Sequence, residues 1–166
     1  MRCPTCGFEN LLGSDICDNC GSDLAGHDTP QSATTFRGQL LGERLDQLEV
    51  GAPEILDATA YVDDAIRRMH DKGIDCVLVV EGGRLVGIFT DRDAVLKVAG
   101  TKAGPQPISA VMTHDPVVLR HNETIAVALN KMAVGGFRHI PIVEDGRPTG
   151  VVTARDVFHH LAESLG

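Results

Sequence analysis

The sequence predicts an α+β protein made of two copies of one βαββα unit packed about a pseudo-twofold axis, preceded by a small four-cysteine segment. Three observations carry this reading. Residues 56–96 recur at 119–159 with a constant shift of 63 and no gap, with 12 identities in 41 positions. Inside each copy the apolar spacing changes from helical to strand period in the same order. Four of the five cysteines fall within the first 20 residues, as two C-x2-C pairs.

Composition bounds the answer. The chain has 166 residues, 43% apolar and 23% charged, enough for a real core in one ordinary domain with a small attachment. The formal net charge is −8, aromatics are 4% and Trp is absent, which argues against a surface built to grip nucleic acid. The acidity is densest at the front: residues 1–26 carry a net −3, residues 27–50 a net −2, and residues 51–166 together only −3. No apolar run approaches the roughly 18–20 residues that cross a bilayer. The start, Met1-Arg2-Cys3-Pro4-Thr5-Cys6, has no apolar export stretch, so a cytoplasmic location is expected.

At the N-terminus, Cys3-Pro4-Thr5-Cys6-Gly7 and Cys17-Asp18-Asn19-Cys20-Gly21 form C-x2-C-x10-C-x2-C. Two intervening residues let both thiolates of a pair reach one ion from a tight turn, and the following Gly tolerates positive φ there. Four thiolates suit a closed tetrahedral zinc site, whose binding energy would fold a segment too small to fold alone. Two disulfides are disfavoured without an export signal, and a redox pair without βαβ surroundings. The segment resembles the short zinc-ribbon family, over about residues 1–25. With Arg2 its single basic residue and Phe8 its single ring, it suits docking to a protein partner better than a phosphate backbone.

Residues 26–38 are small and polar with one Pro and read as a flexible linker. Residues 39–50 carry Leu40, Leu41, Leu45 and Leu48 at near-helical spacing, predicting an amphipathic lead-in helix packed on the following domain. The repeats follow, at 51–104 and 105–166. Val62, Ala65, Ile66 and Met69 match Ile125, Ala128, Leu129 and Met132, one amphipathic helix per copy. Apolar strands come next, Cys76 to Val80 and Ile140 to Val143. The two-residue turns Gly82-Gly83 and Asp145-Gly146 then lead into second strands ending at Thr90 and Thr153. Second helices begin near Asp91 and Ala154, and a short strand is expected ahead of each first helix. Cys76, mid-strand among apolar neighbours, reads as core. His159 and His160, adjacent on the last helix, diverge too far to share a metal and read as solvated.

The candidate site lies in the segments Gly87-Ile88-Phe89-Thr90-Asp91-Arg92-Asp93 and Gly150-Val151-Val152-Thr153-Ala154-Arg155-Asp156. Gly permits close approach to the strand, Thr ends it, and the new helix N-terminus favours anions. Arg can pair with phosphate and Asp can accept both hydroxyls of a ribose diol, so the set suits a nucleoside phosphate. The competing reading is purely local: an N-cap Thr, a solvated Arg and a first-turn Asp.

These segments, with Ile108-Ser109-Ala110-Val111-Met112-Thr113 and Arg138-His139-Ile140-Pro141-Ile142-Val143, resemble the cystathionine-β-synthase-type (CBS) repeat, and the chain resembles a tandem CBS pair, or Bateman module, over about residues 50–163. The resemblance implies clefts for adenosine-containing ligands (AMP, ADP, ATP or S-adenosylmethionine), frequent dimerisation, and regulation without chemistry of its own. By position it assigns Asp93 and Asp156 to ribose, Thr90 and Thr153 to ribose or phosphate, and Arg92, Arg155 and His139 to phosphate. Where the second copy has Arg138 and His139 the first has Asp75 and Cys76, so the second-copy cleft is expected to take the phosphorylated ligand. The expected function is therefore a regulatory adenine-nucleotide sensor, homodimeric, not an enzyme, with a zinc ribbon docking a partner. The alternatives are a nucleic-acid-associated regulator using the ribbon, and a structural dimer with degenerate nucleotide sites.

Overall fold

The computed structural model describes residues 3, 5–10, 16–24, 42–48, 50–100 and 105–165, in two compact units, Met1–Leu41 and Gly42–Gly166. The linker expected at 26–38 lies outside the described residues.

In the first unit the two Cys-x-x-Cys turns share one geometry. Gly7 and Gly21 sit at φ 74° and 69°, and each donates its N–H to the carbonyl of the leading cysteine, Cys3 or Cys17, at 2.9 Å. The leading cysteines' own N–H groups bond Phe8 O at 2.8 Å and Ser22 O at 2.9 Å. Both glycines thus meet the positive-φ requirement read from the sequence. Leu24, buried, packs against Cys3 and Cys17.

The second unit holds both repeats. The first copy contains β1 (Ile55–Asp57), α1 (Val62–Lys72), β2 (Cys76–Glu81), β3 (Arg84–Thr90) and α2 (Asp91–Asp93), which runs on as a π turn, Ala94–Val98. Strand β4 (Thr113–His114) leads into the second copy: α3 (Ile125–Gly135), β5 (His139–Glu144), β6 (Arg147–Thr153) and α4 (Ala154–Leu165). Strand β1 runs parallel to β2, and β2 antiparallel to β3. In the second copy the expected leading strand shrinks to one parallel bridge, Leu119 to Ile142. Both hairpin turns place their two central residues at positive φ: Gly82 and Gly83 at 56° and 80°, Asp145 and Gly146 at 50° and 79°. Both first helices end on a left-handed Gly, Gly73 or Gly136.

The expected lead-in helix is corrected from residue 43 onward, Gly42 itself being helical. Residues 39–41 and 49 lie outside the described set, and the described part of 39–50 has a 3-10 turn, Leu45–Gln47, between extended Arg44 and Leu48. Tertiary bonding explains the change. Glu43 O accepts Ile125 N–H and Leu45 N–H donates to Glu123 O, both at 2.9 Å, so this stretch satisfies the open amide at the start of α3. The first helix is served the same way by the segment before the second copy. Gln106 O accepts Val62 N–H at 2.9 Å, and Ile108 N–H donates to Ala60 O at 2.8 Å. Every residue in these two sets is related by the shift of 63. Each repeat is therefore completed by the leader of the other.

The side chains follow. Ile108, Val111 and Met112 enter the core of the first copy with Leu56, Val62, Met69, Val79 and Phe89. A Cβ at Gly87 would lie 2.3 Å from the Met112 sulfur, so only Gly lets this leader cross β3. At Gly150 the same position would be 3.0 Å from a Val50 methyl of the other leader. Cys76 is buried at the seam with Leu78 and Ile88, as the sequence predicts, and burial foremost pushes its thiol up to about 12.

Leu45 and Ile108, 1% and 0% exposed, occupy equivalent places. Leu45→Ala and Ile108→Ala are each expected to cost about 2–5 kcal/mol in urea unfolding. Loss in the second alone would mean that the leader at 42–48 is not an integral part of the fold.

Candidate functional site

Strand β3 ends at Thr90, and the turn into α2 closes a capping box. The Thr90 N–H and hydroxyl donate to Asp93 Oδ2 at 3.0 and 2.9 Å, and Asp93 N–H donates to Thr90 Oγ1 at 3.2 Å. The second copy repeats it: Thr153 N–H and hydroxyl donate to Asp156 Oδ2, both at 2.8 Å. The local reading of these residues is thus correct as geometry, yet it uses one carboxylate oxygen. Asp93 Oδ1 faces Lys97 Nζ at 2.7 Å and the Thr113 hydroxyl at 3.5 Å, with Asp93 only 8% exposed. Lys97 lies four residues after Asp93, on the same helical face, and its ammonium also bonds Val111 O at 2.8 Å.

Thr90, Arg92 and Asp93 line a cleft of about 480 Å³ whose far wall is Phe137, Arg138 and His139, from the turn into β5. Arg138 reaches Asp91 across it at 3.8 Å. This regroups the expected site. Arg138 and His139, read as partners of Thr153, Arg155 and Asp156, stand instead opposite the first-copy motif, because the pseudo-twofold packing sets each motif against the strand start of the other copy. Thr153, Arg155 and Asp156 do not line this cleft. Asp156 instead acts electrostatically on Cys76, as do Asp75 and Asp91. At the equivalent corner of the second-copy motif the residue matching Arg138 is Asp75, whereas the first cleft sets Arg92, Lys97 and Arg138 against Asp91, Asp93 and Asp115. Burial foremost, with Arg138, lowers the pKa of His139 against the opposing pull of Asp75, Asp91 and Asp156, so the imidazole is held toward its neutral form.

Lys97, Asp115 and Phe137 also line the cleft and were not singled out from the sequence. The signal lay in the repeat: their counterparts 63 positions away are His160, Ala52 and Ile74. His160 is not solvated as expected, but pairs with Glu43 at 2.7 Å.

In the N-terminal unit, the sulfurs of Cys3, Cys6, Cys17 and Cys20 all lie within 4.8 Å of one another, with Cys3–Cys20 and Cys6–Cys17 each at 3.7 Å. A tetrahedron of thiolates about 2.3 Å from an ion has edges of about 3.8 Å, whereas a disulfide needs about 2.05 Å. The donor set therefore fits a tetrahedral metal ion and no disulfide. Burial raises the Cys17 thiol, but the Cys20 and Asn19 amides and the Asn10 side chain outweigh it and hold it at about 6, toward the thiolate a metal needs.

The sequence model of the CBS domain matches residues 52–100 and 108–163. The chain belongs to the CBS domain family. Its two matched segments are the two structural repeats, a tandem CBS pair. The CBS domain-containing protein CBSCBSPB5 of Arabidopsis thaliana is 36% identical over 140 residues, 81% of this chain and 25% of that protein. The chain thus spans about a quarter of that relative. The CBS domain pair of protein MJ0100, solved with 5′-methylthioadenosine and S-adenosyl-L-methionine, superposes at TM-score 0.67 and 22% identity, covering 73% of this chain and 97% of that one. CBS domain protein PAE2072 from Pyrobaculum aerophilum, complexed with AMP, gives 0.63 and 21%, covering 72% and 98%. These two likenesses establish the fold. Among the described residues no helix is long and apolar enough to cross a membrane.

A metal ion held by these four cysteines would support the N-terminal unit alone, so its removal is expected to leave the CBS pair folded. Zinc-loaded chain carrying Cys17→Ser should retain no zinc in elemental analysis, with NMR shifts confined to the N-terminal unit. Full zinc retention by that variant would refute the four-thiolate centre.

Proposed function

We propose that this CBS pair is a regulatory sensor that binds one adenosine-containing nucleotide, of the AMP or ATP class, in the cleft between Thr90–Asp93 and Arg138–His139, and does no chemistry itself. The observation that carries the reading is the polarity of that cleft. A buried carboxylate at one end, already ordered by Thr90 and Lys97, suits a ribose diol. Arg92 and Arg138 at its mouth suit a phosphate, and the His139 ring adds a hydrogen bond. The AMP and S-adenosylmethionine complexes of related CBS pairs support the ligand class. In this reading the second-copy motif serves the fold: Asp75 and Cys76 stand where Arg138 and His139 stand in the other copy, and an acid there repels phosphate.

The cysteine centre would hold Zn²⁺, which supplies folding energy to a segment with few apolar residues. Its acidic surface favours a protein partner over nucleic acid. Val95 and Phe158, equivalent residues 67% and 66% exposed, support a homodimer that covers them. The reading includes a cytoplasmic location.

Isothermal titration of the full chain with AMP and with ATP tests the reading. One site per chain is expected. Asp93→Ala removes a charged hydrogen-bond acceptor and is expected to weaken binding by about 10–100-fold. Asp156→Ala is expected to bind normally. The opposite pattern, or no heat with either nucleotide, would overturn the proposal.

A further inference from the structure

We propose that Phe137 is the stacking platform for the base in this cleft, and that Gly135 exists to seat its ring. The inference rests on the adenosine reading above and adds the residue that recognises the base. It begins with a difference between the copies. The counterpart of Phe137 is Ile74, which packs against the core of the first copy. The two preceding turns are alike, with Gly73 at φ 62° and Gly136 at φ 66°, so the backbone does not force the side chains apart. Yet Phe137 lines the cleft.

Its seat is equally specific. A Cβ on Gly135 would lie 1.9 Å from Phe137 Cε1 and 2.7 Å from Cζ, so the ring rests directly on the last turn of α3. The residue equivalent to Gly135 is Lys72, whose side chain would forbid that placement. Gly135 is the last residue of α3, before the left-handed cap Gly136, and Gly within a helix is unfavourable by propensity. Apolar side chains share the cleft with its charged residues. Leu96, carried by the π turn, is 69% exposed, and Ile88 and Val117 also line the cavity. A ring fixed against backbone loses little freedom on binding, and a flat heteroaromatic base matches both the ring and the exposed Leu96. Phe137 is the cleft's one phenyl or phenol ring among the described residues.

The experiment titrates AMP and ribose 5-phosphate into the full chain and its variants. Phe137→Leu is expected to weaken AMP by about 5–150-fold, the range for losing one base–aromatic stack, and to leave ribose 5-phosphate unchanged. Gly135→Ala, which pushes the ring away while improving helix propensity, is expected to weaken AMP similarly, and to add no further loss in the Phe137→Leu background. Phe137→Tyr keeps the ring and is expected to bind AMP within about threefold of the original. A fluorescent purine analogue, 2-aminopurine riboside 5′-monophosphate, should be quenched on binding the original chain and less so on Phe137→Leu. If Phe137→Leu binds AMP normally while Asp93→Ala does not, or if the Tyr and Leu variants lose equally, the stacking role is wrong and the cleft assignment stands. If the original chain binds no AMP, it is the underlying reading that fails.

Discussion

Four backbone hydrogen bonds at the starts of α1 and α3 tie each repeat to the leader of the other: Val62 to Gln106, Ile108 to Ala60, Ile125 to Glu43 and Leu45 to Glu123. A helix start leaves its first amides without partners, and here the chain supplies them from the opposite copy. Each such bond contributes about 0.5–1.5 kcal/mol net, but the leaders bring Leu45 and Ile108 into burial with them, and that apolar contribution is larger. A single copy therefore lacks both its amide partners and part of its core. The exchange makes the pair the folding unit, and it sets the first motif against the strand start of the second copy, where a cleft can form.

The same exchange explains why one motif can serve two ends. Thr90 and Asp93 are a helix cap, as Thr153 and Asp156 are, and the cap alone would be a sufficient reason for both pairs. What differs is what surrounds the caps. The first faces Arg138 and His139 and has Lys97 on its free oxygen; the second has Asp75 and Cys76 as the matching residues. The π turn Ala94–Val98 has no counterpart in α4, which runs unbroken from Ala154 to Leu165. The two copies share one frame and differ at these equivalent positions, and the first motif lines the cleft described above.

Much of this was legible in the sequence. The constant shift of 63, the two hairpin turns with positive-φ residues and the Gly after each cysteine pair all describe local geometry, which local sequence determines. What stayed hidden depends on which parts of the chain meet. Leu45 and Leu48 have helical spacing, but the open amide of Ile125 draws their backbone into an extended strap with one tight turn. Arg138 and His139 could be recognised as phosphate-binding types, yet no property of the second copy alone says that they line one cleft with Asp93. Phe137 has no motif to mark it, and its counterpart Ile74 is an ordinary apolar residue of the first-copy core. Gly135 was the available hint, since a Gly in place of Lys72 near a helix end needs a reason.

The central claim is that one cleft, shared between the first-copy motif and the strand start of the second, is the functional site. Amide chemical-shift mapping of the folded chain during titration with AMP tests it most directly, because it reports position without altering a side chain. The account predicts shifts at Thr90, Asp93, Phe137 and His139, with Thr153, Asp156 and Asp75 unmoved. Shifts centred on Thr153, Asp156 and Asp75, with the first set still, would contradict it.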